Sequence, residues 1–447
     1  MSPERKKSRK SDADSTPSKL LIRHARIIDP ANSVDARGDI LIRNGRIAAV
    51  GKVSATLARG ARVVNARGLV AAPGFVDIHT HLREPGPAGG ETVLSGARAA
   101  VNGGYTTVCS MPNTDPPVDS PERVAYQRLL GQRAGYARVY PVCAITVGRA
   151  GEALVEMASC AAEGAVAFTD DGAALPTAKM VVKALLYAKV TGLPIIEHPE
   201  DASLSGSGVA HKGSRSAVLG LTGISASSED VIVARDCIIA KETNGRLHLT
   251  HLSTSGAVEI LSWAKSKGVS VTADVTPHHL VLDDSGLERF HTSIKVKPPL
   301  RSKDHIQALR KALVDGTVDC IATDHAPHRL EEKEVEFDYA AFGLTGLETA
   351  FAVLNNELVE AGIISLPRLI DLMSARPARV LNLPAGTLSV GAAADVVLLD
   401  PKAQWLVDTD KLLSAGANCP FEGWKVMGAV TSVLVGGVWK KREARVI

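Results

Sequence analysis

The chain has 447 residues, 45% hydrophobic and 4% aromatic, enough for two or three domains around a large core. Its net charge of +3 arises in the first 19 residues, which hold six basic and three acidic side chains. The remaining body is neutral, which argues against nucleic acid or an anionic membrane as the main partner. No apolar run approaches the roughly 20 residues of a membrane span, and the first residues lack the apolar core of a secretory signal. Six scattered cysteines without Cys-x-x-Cys suit a reducing, cytoplasmic setting and form neither a disulfide frame nor a cysteine zinc site.

Residues 1–18 are rich in Ser, Lys and Arg and cannot bury enough surface to offset ordering entropy, so a disordered basic tail is expected. From 19 to 73 the chain alternates apolar and polar residues in short runs (LLIRHARIID, DILIRNGRIAAVG) that break at Gly, Asn and Asp. The same texture returns over 385–447, as in ADVVLLDP and SVLVGGVWKK. Both ends are therefore expected to build one small β-sandwich domain.

Between them, 74–384 alternates strand runs with helical stretches. The runs are FVDIHTH (75–81), YTTVCSMPN (105–113), RVYPVCAITV (138–147), AVAFTDD (165–171), LPIIEHPED (193–201), RLHLTHLST (246–254), VSVTADVTPHH (269–279) and VDCIATDHAPH (318–328). Eight strand–helix units of this size predict an α/β fold, a closed (β/α)8 TIM barrel. The runner-up is an open doubly wound sheet, weakened because no G-x-G-x-x-G follows the first strand.

Titratable residues collect where these strands end, the rim on which barrels of this kind build their sites. His79 and His81 share one face by the period of two. Asp170 and Asp171, His198, His251 and Asp324 end other runs. Four histidines and three carboxylates exceed what one zinc needs and suit two divalent cations sharing a carboxylate. Nitrogen and oxygen donors without thiolate favour Zn²⁺, with Mn²⁺ or Co²⁺ as alternatives. Of Asp170 and Asp171, adjacent on a strand, only one can enter the site; the other is expected to face a helix or cap its N-terminus. His248, three residues before His251, is expected on the opposite face, and His278 and His279 as rim supports. His24, His211, His291 and His305 show no partner pattern and read as surface or loop residues. RLEEKEVEFD (329–338) reads as a solvated loop or a lid.

GFVDIHTHLREPG (74–86), MPNT (111–114), AFTDDG (167–172), EHPED (197–201), THLST (250–254), VTPHH (275–279), PPLR (298–301), TDHAPH (323–328) and FGLTGLET (342–349) resemble dihydroorotase. The likeness is greatest to the bacterial type I enzymes of the amidohydrolase superfamily, and it runs from about residue 20 to 440. Carried over, it implies His79, His81 and Asp324 on a first metal, His198 and His251 on a second, and Asp171 as the bridge. It implies a substrate carboxylate held by Arg83 and Asn113 with His328 assisting and His81 beside it. Backbone groups of Phe342 and Gly343 would meet the pyrimidine ring edge. Lys297 departs from the family pattern, which has Asn there, and places a cation at a substrate contact. For Arg83 the alternative is a rim ion pair with Glu84.

The activity implied is reversible cyclisation of N-carbamoyl-L-aspartate to L-dihydroorotate in pyrimidine synthesis. Asp324 would act as general base and then acid toward a water activated by the two metals. The resemblance further implies a homodimer and association with aspartate carbamoyltransferase. The rival readings are another cyclic amidohydrolase (allantoinase or hydantoinase) and a non-catalytic homologue that scaffolds the transferase.

Overall fold

The computed structural model describes residues 18–416 and 418–447, so the tail expected over 1–18 lies outside the described residues except for Ser18. The first central run forms the strand Phe75–Thr80, parallel to Tyr105–Ser110, which in turn pairs with Arg138–Pro141. The fourth run forms no strand; single parallel bridges join its Phe168 to Cys143 and to Ile195. Ile195–Glu197, Leu247–Leu249, Val271–Val275 and Cys320–Ile321 then follow side by side. A parallel bridge from His325 to Thr80 closes the ring. All eight units thus stand in chain order around a closed TIM barrel, and the open sheet is excluded.

Phe75–Thr80 and Tyr105–Ser110 are buried at every residue, as parallel strands covered on both faces must be. The covering helices begin where the sequence supplies caps. Thr92, Thr177 and Thr254 accept from the backbone N–H groups of Ser95, Met180 and Ala257. The helix Ala178–Thr191 ends on Gly192 at φ 72°, a left-handed position that Gly takes without steric cost.

Strands from both ends make one nine-stranded sheet with its own core, which includes Leu20, Ile22, Ile40, Val396 and Leu434. Val70–Pro73 is the seam: it runs parallel to Lys19–Asp29 and antiparallel to Val396–Leu406. Gly74 then hands the chain to the barrel. A Cβ there would lie 2.1 Å from Thr106, so no larger residue fits the passage. Arg138 donates two bonds of 3.1 Å to Asp395, tying the third barrel strand to the sheet. At the junction Phe75 packs its ring 5.6 Å from both Tyr105 and Phe351. Phe75→Ala is expected to cost about 3–5 kcal/mol, read as a fall in the urea midpoint of unfolding.

Candidate active site

The strand ends bring two trios of buried ligand atoms together: His79, His81 and Asp171, and Asp171, His198 and His251. Asp171 belongs to both. His79 Nε2 lies 3.2 Å from Asp171 Oδ1 and 3.5 Å from Asp324 Oδ1, and His81 Nε2 lies 3.0 Å from Asp324 Oδ1. His198 Nδ1 and His251 Nε2 face each other at 3.0 Å.

The imidazoles are oriented from behind. Thr250 Oγ1 donates to Asp274 Oδ2 at 3.0 Å, so its lone pair accepts from His79 Nδ1–H at 2.7 Å. His81 Nδ1–H donates likewise to Asn113 Oδ1 at 2.8 Å. Both Nε2 atoms are thereby turned inward, and His79 Nε2 is buried with no aligned hydrogen bond. Nitrogen and oxygen donors, a shared carboxylate and an orphaned ring nitrogen fit divalent cations.

Electrostatics agree with the donor set. Burial opposes charge on His79, yet Asp171 and Asp324 raise its imidazole to about 10. Burial likewise works against ionised Asp171, but His79 and His81 hold that carboxyl well below the usual range. Burial, and then His198, push His251 down to about 3, leaving a neutral ring with a lone pair. Without metal, the proton on His79 is the positive charge the carboxylates face, and a cation would displace it.

Asp170 does not enter the site. It accepts from the N–H groups of Ile145 and Thr146 at 2.9 and 3.0 Å and from the Thr146 hydroxyl, bracing the loop after the third strand. Of the two expectations for Asp170, facing a helix or capping one, the cap is not found: its partners lie in the loop. His248 pairs with Asp274 at 2.9 Å away from the trios, but period-two geometry is not the reason. The strand ends at Leu249, and His251 takes φ 41° beyond it. His279 bonds Thr276 and the Pro298 carbonyl, a rim support. His211 is not a surface residue: it is buried, 3.2 Å from Arg301 and stacked edge-on to His305.

Arg83 is half-buried beside the trios. Its guanidinium donates to the Pro327 carbonyl at 3.4 Å and stands 3.2 Å from His328 Nε2 without a bond, since the hydrogen of that nitrogen points to Phe342, and among the described residues no carboxylate pairs with Arg83. Glu84 instead accepts from Val93 N–H at 2.8 Å, so the rim ion pair is absent. His328 Nε2 donates to the Phe342 carbonyl at 2.7 Å, and burial, then Arg83, push its ring down to about 4. Gly343 N–H is engaged by the Lys295 carbonyl at 2.9 Å. Asn113 also points its amide nitrogen toward Asp171, at 3.4 Å. Lys297 pairs with Glu200 at 2.7 Å, so its charge is balanced within the protein. The stretch 329–338 is only partly solvated, with Lys333 and Phe337 buried.

A protein-family profile described as Dihydro-orotase-like matches residues 68–257. A dihydroorotase of Anaeromyxobacter dehalogenans is 49% identical over 94% of this chain and 96% of its own length. The chain belongs to the dihydroorotase family. A Thermoanaerobacter dihydroorotase is 44% identical over 96% of this chain and 98% of its own. Among solved structures, a dihydropyrimidinase from Brevibacillus agri superposes with a TM-score of 0.84 at 25% identity, covering 96% of each chain.

Sequence reasoning did not find Thr250, Asp274 or Glu200. Thr250 adjoins His251 within THLST, so proximity to a candidate ligand was the available signal; Asp274 lies on the next strand and offered none. Cation uptake by the metal-free protein at pH 8 is expected to release a proton from His79, since that ring is charged below about 10. Thr250→Val should weaken cation affinity by about 10–100-fold, measured by competition with a chelator.

Proposed function

We propose that this chain is a metal-dependent dihydroorotase, interconverting N-carbamoyl-L-aspartate and L-dihydroorotate. The observation that carries the reading is the half-buried Arg83, free of any carboxylate partner among the described residues and adjoining the two His/Asp trios. A planar guanidinium left open in this way suits bidentate capture of a carboxylate. The 49% identity to a named dihydroorotase supports the same substrate class.

Two divalent cations, zinc first, are proposed at His79, His81 and Asp324 and at His198 and His251, with Asp171 between. When bound, they supply Lewis-acid polarisation of the amide carbonyl and bring a water toward ionisation near neutral pH. Asp324 does the proton work. Against the cost of burial, His81 and His79 hold its carboxyl well below the usual range, so in the metal-free site it stands ionised. In the ring-opening direction the Asp324 carboxylate takes the proton of the attacking water. It then delivers that proton to the ring nitrogen as the amide C–N bond breaks.

Arg83 grips the carboxylate, with Asn113 and His328 alongside. The Phe342 carbonyl and N–H lie at the edge where the ring sits, and Lys297, neutralised by Glu200, lines the far side. A cytoplasmic homodimer, and association with aspartate carbamoyltransferase, complete the proposal. Among the described residues no helix is long and apolar enough to cross a membrane.

The purified, zinc-loaded protein is expected to open L-dihydroorotate and to leave hydantoin and allantoin untouched, followed by ultraviolet absorbance. Turnover of the controls alone would replace this reading with another cyclic amidohydrolase. Asp324→Asn should lower kcat by at least about 10²-fold with metal content near normal. Loss of metal in parallel with rate would make Asp324 chiefly a ligand.

A further inference from the structure

The backbone of residues 341–345 borders the site, and two side chains hold it from outside. Lys333 is 5% exposed, and its Nζ donates to the carbonyls of Ala341 and Gly343 at 2.7 and 3.0 Å. Among the described residues no carboxylate pairs with it. Burial, and then the charge of Lys295, push its amine down to about 7. An ammonium withdrawn from water with only carbonyl acceptors is costly. What it gains is geometric, because its two acceptors flank Phe342.

The second side chain comes from the other domain's segment of the chain. Asn418 precedes the sheet strand Lys425–Val435 and is 2% exposed. Its Nδ2 donates to the carbonyls of Ala326 and Gly343, both at 3.0 Å. Its Oδ1 accepts from His328 N–H at 3.1 Å, and its own carbonyl accepts from Thr345 N–H at 3.1 Å. Four contacts therefore join the TDHAPH loop to the FGLT loop. Gly343 leaves no slack: at φ 137°, a Cβ there would lie 2.8 Å from Ala326. With the Ala341 and Gly343 carbonyls both held, the Phe342 carbonyl is left to meet His328. The Phe342 N–H has no partner among the described residues.

We propose that Lys333 and Asn418 are positioning residues that set the Phe342 peptide and His328 at the spacing needed to recognise the substrate. The proposal rests on the reading that His328 and the Phe342 peptide contact L-dihydroorotate. Neither residue touches the reacting bond, so their loss acts on binding before chemistry.

Lys333→Met and Asn418→Ala, zinc-loaded, are compared with the wild-type chain for ring opening of L-dihydroorotate. Each is expected to raise KM about tenfold, the equivalent of one lost hydrogen bond. In each, kcat should stay within about threefold and metal content should be normal. Lys333→Arg, which retains donors, should recover part of the KM. Because both side chains hold Gly343 O, the double variant should raise KM by less than the product of the single effects. An unchanged KM in both single variants overturns the proposal, as does a fall in kcat and thermal stability without a KM shift. If Lys333→Met fails to fold, Asn418→Ala decides.

A wild-type chain inert toward L-dihydroorotate would instead sink the substrate reading. Amide hydrogen exchange at 342–345 would then test the positioning role by itself. Faster exchange in Lys333→Met supports it, and unchanged exchange overturns it.

Discussion

One shared carboxylate organises the rim. Asp171 is buried, belongs to both trios of ligand atoms and remains ionised only because imidazoles surround it. A lone ionised carboxylate at that depth would cost several kcal/mol or more and would simply take up a proton. The histidines must therefore converge, and the strand ends must be fixed closely enough to keep them converged. Much of the remaining polar burial serves that end. Asp274 alone receives His248 Nε2, Thr250 Oγ1 and the His251 N–H, locking three neighbouring residues to the adjacent strand.

The backbone carries a share of the same constraint. Arg83, His251 and Asp324 take φ of 55°, 41° and 49°, a region that residues with a Cβ visit at some cost. All three lie just past the end of a barrel strand, where the chain turns from the sheet toward the loop. The turn aims each side chain inward at a point where continued extension would carry it along the rim. Hydrogen bonds from neighbours hold the strained positions, as at the His251 N–H, which Asp274 accepts at 2.7 Å.

The same departure from regular strand geometry explains what could be read from the sequence. The eight-unit barrel was legible because buried parallel strands appear as apolar runs with polar ends. His79 and His81 were legible as a pair because they still obey strand periodicity. Periodicity failed at His251, which stands beyond its strand, and it could not foresee what Asp170 would bind. The fourth run read as a strand and yet is held by single bridges at Phe168, a difference that depends on its neighbours and not on its own residues. His211 lacked any local pattern; its burial comes from Arg301, ninety positions away. Long-range partners of this kind leave no trace in spacing, and Asn418 belongs with them.

The terminal sheet is more than an appendage to the barrel. Ser414 donates to Glu91 at 2.6 Å, and Glu91 lies 3.4 Å from His325 Nε2. Gly346 N–H donates to His325 Nδ1, which leaves the ring hydrogen on Nε2, directed at Glu91. His325 adjoins Asp324 and supplies the bridge to Thr80 that closes the barrel. Residues leading into the C-terminal strands therefore reach the first and last barrel strands at their meeting point, where His79, His81 and Asp324 originate. In a closed (β/α)8 ring the first and last strands meet with no chain connection between them. Placing the second domain's polar contacts at that seam allows distant parts of the sequence to hold one constellation together.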